Sequence, residues 1–122
     1  MELKSQICTT EGQSERLLAL GLKKETADMR VCNCVPMPLL DVINGAVLGV
    51  PAWSLHRLIE LMPTIVNPVR NLFVSNKSVE YQMSEGRTTN IFVGENNVYD
   101  NIINCMEWLI KEGHFNKEYL EA

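Results

Sequence analysis

The chain has 122 residues, a hydrophobic fraction of 46%, a charged fraction of 21% and a formal net charge of −4. These values fit one folded domain that buries its own core, and they exclude disordered and fibrous classes. An acidic chain without a basic stripe also lacks the phosphate-neutralising surface on which non-specific nucleic-acid binding depends.

Taken in chain order, the first element is a helix. Thr10 is an N-cap and Gln13, three residues on, completes a capping box. The helix runs from Glu11 to Leu20, contributes Leu17, Leu18 and Leu20 to a core, and stops at Gly21. Asp28 to Val35 alternates as a strand, with Met29, Val31, Asn33 and Val35 on one face and Arg30, Cys32 and Cys34 on the other. From Pro36 to Pro51 two readings stay open. Val42, Ile43, Ala46, Val47 and Val50 recur at helical spacing after a cap at Asp41, but Gly45 and Gly49 each cost about 1 kcal/mol in a helix interior. The segment is either a short helix or an apolar loop. Next, Ser54 caps a helix with Leu55, Leu58, Ile59 and Met62 on one stripe, ended by Pro63. Trp53 and Leu58 flank that cap as a hydrophobic staple.

Three strand-like runs follow: Arg70 to Val74, Val79 to Met83 and Thr89 to Val93. Turn-forming residues join them, Ser75 to Ser78 and Ser84 to Arg87, which predicts an antiparallel meander. The closing helix starts at Asn97 and stops at Gly113. At 100° per residue, Val98, Tyr99, Ile102, Ile103, Cys105, Met106, Leu109 and Ile110 fill one broad arc, the width expected of a helix laid across a sheet. Trp108 falls beside Asn101 on the flank. Asn116 caps a last turn, with Phe115 and Leu120 as its staple pair.

Charge is unevenly placed. From Glu95 onward six acids face two lysines, whereas residues 1–94 balance at nine of each sign. Met1 to Gln6 is polar and no apolar signal core follows it. The uncharged stretch Val42 to His56 is too short to span a bilayer and is broken by Pro51. The expectation is a cytoplasmic protein whose four cysteines are thiols.

Motifs for chemistry are scarce. Cys32 and Cys34, two apart on a strand, point the same way, and with Cys8 and Cys105 they could supply four zinc ligands. No C-x-x-C knuckle accompanies them, and Cys105 lies inside the apolar arc, where a cysteine packs as a small hydrophobe. Ser54 and His56 adjoin a helix start without an orienting acid or oxyanion site being signalled. His114 sits at a helix C-terminus, which favours a cation without any catalytic role. The glycines form no phosphate-binding loop. Trp108 on a helix flank either covers a neighbouring loop or anchors a partner, since tryptophan is enriched at binding hot spots.

Three stretches carry a resemblance: Gln13–Gly21 with Glu25–Met29, Pro51–Leu55 running on to Leu61–Pro63, and Glu107–Gly113 with Phe115–Leu120. In this order they resemble short uncharacterised proteins encoded by prophages and mobile elements of anaerobic gut bacteria, a group without an established activity. The resemblance implies a bacterial or phage origin and carries over no functional residue.

Together these readings predict a single α+β domain over residues 1–122: an antiparallel three- to four-stranded sheet with a long C-terminal helix and two shorter N-terminal helices packed on it. They predict a non-catalytic, cofactor-free interaction module that contacts a protein partner or a second copy, with no nucleic acid and no membrane. Its surface would be Trp108, Asn101 and Glu112, with the acidic tail suited to a basic partner. The alternative is a small zinc-binding protein using Cys8, Cys32, Cys34 and Cys105 or His56.

Overall fold

The computed structural model describes residues 6–32, 35–38, 42–43, 46–47, 49–66, 70–83, 88–92 and 97–121. Three α-helices and three antiparallel sheets occur among them, which makes the class α+β. Contacts group the chain into two compact units, Met1–Ile59 with Tyr119–Ala122, and Glu60–Glu118.

In the first unit, α1 spans Glu11–Ala19. Both bonds of its capping box form: Gln13 N–H donates to Thr10 Oγ1 at 3.2 Å, and Thr10 N–H donates to Gln13 Oε1 at 3.0 Å. Two of the four donors orphaned at a helix start are thereby satisfied. Leu17 is buried inward. The expected strand from Asp28 stops early: β1 is Met29–Cys32, and the chain turns back as β2, Val35–Pro38. The helix considered after Asp41 does not form. Instead β3 (Val42–Ile43) pairs with β4 (Ala46–Val47), and β5 (Val50–Ala52) pairs with β1. Gly49, with φ 88, occupies the left-handed region just before β5, a conformation that ends any helical continuation and suits glycine. Asp41, Gly45, Asn33 and Cys34 lie outside the described residues.

The three-stranded sheet has the order β2-β1-β5, and α1 packs on β5. Its edges are chemically blunted. Pro36 opposes Val31 and Pro38 opposes Met29, so both prolines share one pairing parity. A proline has no N–H to give, which fits positions whose amide side faces away from the neighbouring strand. On β5, Pro51 opposes Arg30, the alternate parity on β1, and the same reasoning turns its donor-free side outward. A further strand would meet missing donors at either edge. The chain end also belongs to this unit. Leu120 bridges Leu22, Lys23 N–H donates to Tyr119 O at 2.8 Å, and Glu121 N–H donates to Gly21 O at 2.7 Å.

Helix α2 spans Leu55–Leu61. Arg57 N–H donates to Ser54 Oγ at 3.1 Å, the expected cap, and the staple residues Trp53 and Leu58 are both fully buried. In the second unit, β6 (Ile65–Val66), β7 (Arg70–Val74), β8 (Val79–Met83) and β9 (Thr88–Phe92) form a four-stranded meander in sequence order. The expected turn at 84–87 and Val93 fall outside the described residues. Ser75 closes the β7–β8 connection, its N–H donating to Ser78 O at 2.8 Å.

Helix α3 spans Val98–Lys111 and packs on β8 and β9. Asn97 caps it, Oδ1 accepting Tyr99 N–H at 2.8 Å. Gly113, φ 77, lets the chain turn back so that His114 N–H reaches Leu109 O at 2.8 Å. Tyr99, Ile102, Ile103, Cys105, Met106 and Leu109 are buried, whereas Glu107 and Lys111 are exposed, so the expected arc is the packed one. Asn116 caps the final turn through Glu118 N–H at 2.9 Å.

Candidate functional site

The three residues expected to form an interaction surface do not share one. Trp108 is half-buried, its ring 6.1 Å from that of Tyr81 at 41° and 5.4 Å from that of His114 at 45°. Tyr81 is fixed in turn, its hydroxyl donating to Pro63 O at 2.8 Å. The indole therefore covers a strand residue and the chain that follows the helix stop, the structural alternative weighed for it. Asn101 is fully buried, and its Nδ2 reaches Lys77 O at 3.4 Å. That corrects the expectation of an exposed flank: the β7–β8 connection lies over it. Only Glu112 is exposed.

The sulfur positions argue for packing. Cys8 is 4% exposed in the first unit, and Cys105 is 0% exposed in the second; both are free thiols. Burial pushes the Cys105 thiol up to about 12. Burial, followed by the nearby Asp28 carboxylate, also raises that of Cys8. A nucleophilic cysteine needs the opposite shift, toward thiolate. Cys34 and the Cys32 side chain lie outside the described residues, and His56 is exposed. Among the described residues no group of three or more His, Cys, Asp or Glu could hold a metal.

Ser54 is committed to structure. Its hydroxyl donates to Asp28 Oδ2 at 2.5 Å, its N–H donates to Asp28 Oδ1 at 2.8 Å, and its oxygen caps α2. Around it, Trp53 is embedded in hydroxyls. Trp53 Nε1–H donates to Thr26 Oγ1 at 2.9 Å, and Trp53 N–H donates to Thr9 Oγ1 at 3.1 Å. Thr9 Oγ1 and Ser14 Oγ share a 2.8 Å bond, and Thr26 Oγ1 donates to Lys23 O at 2.6 Å. Every polar group named here is satisfied within the fold, as buried groups must be.

Among the described residues three large apolar side chains are exposed: Ile7 in the first unit, and Ile65 and Phe73 on the meander. Strand register assigns its two faces. Val66, Leu72, Val74, Val79 and Tyr81 share the side that meets α3 through Trp108, and Val66, Val79 and Tyr81 are buried there. Ile65 opposes Asn71, Phe73 opposes Glu80, and Asn71 opposes Gln82, so these residues share the other side. On it Ile65 is 56% and Phe73 50% exposed. Gln82 Nε2 donates to Glu80 Oε2 at 2.5 Å beside them. Typing Phe73 as one more strand aromatic favours the core and passes over this pair. Strand parity held the signal, because choosing Val79 and Tyr81 as core puts Phe73 on the opposite side.

No protein-family model, curated protein or solved structure matches the chain. Among the described residues no helix is long and apolar enough to cross a membrane.

Proposed function

We propose that this chain is a non-catalytic protein-interaction module, an accessory protein of a bacterial mobile element, and that it binds through the outward side of its meander. The observation that carries the reading is the half-exposed pair Ile65 and Phe73 on the side turned away from α3. Aromatic residues are enriched in contact surfaces, and an apolar centre with a polar surround is how such surfaces are built. Asn71, Glu80 and Gln82 supply that surround. The buried hydroxyls and raised thiols described above support the non-catalytic half of the reading.

Capture of the partner, a second copy or another protein, by tagged wild-type chain and by Phe73→Ser tests this. The expected result is that the variant melts as the wild type does and loses the captured species by at least tenfold. Equal capture by both proteins would overturn the proposal.

A further inference from the structure

The first unit contains a cleft of about 380 Å³ lined by residues 6–12 together with Val31 and Pro36. That volume lies within the roughly 300–1,000 Å³ of small-molecule sites. Its walls are apolar at the points that matter. Cys8 and Val31 belong to a buried cluster with Ala52, Met29 packs against that cluster, and Ile7 stands 53% exposed. The polar side chains of the lining are mostly turned to internal work. Gln6 Nε2 donates to Cys8 O and to Gln13 Oε1, each at 2.7 Å. Thr9 is held by Ser14 and Trp53, and Thr10 by the helix cap. The lining holds no lysine or arginine, and its one carboxylate, Glu11, is exposed.

Gly12 adds an independent observation. It occupies the second position of α1, in the first turn after the Thr10 cap. Neither backbone nor packing asks for it: its φ is not in the left-handed region, and a Cβ built there would meet nothing within 4 Å. Gly12 lines the cleft and a side chain added there meets open space, so position 12 is a place from which a larger residue can extend across the cleft.

We propose that this cleft binds a small neutral apolar molecule against Ile7, Cys8, Val31 and Pro36, and that Gly12 keeps room for it. An anionic ligand would find no lysine or arginine to pair with, and a cationic one would find only the solvent-exposed Glu11 carboxylate, where pairing contributes little. A neutral one needs only the apolar area on offer.

The test is titration of the full chain with phenylnaphthylamine, a neutral probe that fluoresces in apolar surroundings, alongside alkylation of Cys8 read by peptide mass. The expected result is saturable one-site binding that slows Cys8 alkylation. Gly12→Leu, whose side chain fills the space, should weaken binding at least tenfold while melting no lower than the wild type. Should that variant fail to fold, Gly12→Ala should still weaken binding about threefold. Phe73→Ser should bind the probe as the wild type does, which separates the cleft from the meander surface. Absence of saturable binding, equal affinity in the Gly12 variants, or loss of binding in Phe73→Ser would overturn the proposal.

Discussion

Each unit holds one of the two tryptophans, and the two are buried by different means. In the first unit Trp53 is fully enclosed and tied by hydrogen bonds to Thr9 and Thr26, residues 44 and 27 positions away in sequence. In the second unit the core is built mainly on apolar packing, with Ile102, Met106 and Leu109 of α3 and Tyr81 of β8 buried and α3 packed on the meander, and Trp108 covers its edge against Tyr81 and His114. The second solution is non-directional and tolerant of shape, since apolar burial depends chiefly on area. The first is directional: removing one member leaves a buried partner unsatisfied, and the cost comes from that orphan.

Substitutions can break this contrast. The largest effect is expected from Leu109→Ala, which deletes a fully buried side chain from α3 and should cost about 2–5 kcal/mol, measured by denaturant unfolding of the whole chain. A value under about 1 kcal/mol would mean that α3 is not the centre of its unit. High pH probes the same core. The Cys105 thiol is raised to about 12 from 9.0 by burial, and the Tyr81 phenol is raised by burial and then by Cys105. Above about pH 9 the unfolded chain loses the Cys105 proton while the folded chain keeps it, so stability falls from there toward about pH 12 and is unaffected below. Cys105→Ala should flatten part of that fall; an unchanged profile would remove Cys105 as its source.

The hydrogen-bonded core responds to smaller edits. Thr26→Val keeps the volume and removes the acceptor of Trp53 Nε1–H, which predicts a loss of about 1–3 kcal/mol and a shift in Trp53 fluorescence. An indifferent Thr26→Val would show the network to be incidental. Smallest is Thr10→Ala at the start of α1, about 1 kcal/mol, read by thermal melting, with no change at Trp108.

The same contrast explains what could be read from residues alone. Helix α3, its cap at Asn97 and its stop at Gly113 follow from local periodicity and local hydrogen bonds, and both α1 and the Ser54 cap belong to that class. The region after Cys32 was harder. Its apolar residues fit a helical spacing as well as two short ladders, and the ladders won. One local signal was available: Asn44-Gly45 stands between the paired residues Ile43 and Ala46, a dipeptide favoured in two-residue hairpin connections.

The surface residues divide on similar lines. Placing Trp108 on a helix flank gave its direction but not its neighbours, and contacts with Tyr81 and His114 decide that it covers the core. The burial of Asn101 has no local signal, because its cover, the β7–β8 connection, comes from 24 residues earlier. The bonds from Thr9, Thr26 and Asp28 to residues 53 and 54 had no local signature at all.

Site-specific photo-crosslinking compares the two candidate contacts directly. A photoreactive side chain is placed at position 73 in one protein and at position 108 in another, and both are irradiated in the native host. The outward meander side predicts a discrete adduct from position 73 and none from position 108. An adduct from 108 alone would contradict the account and return the contact surface to the indole.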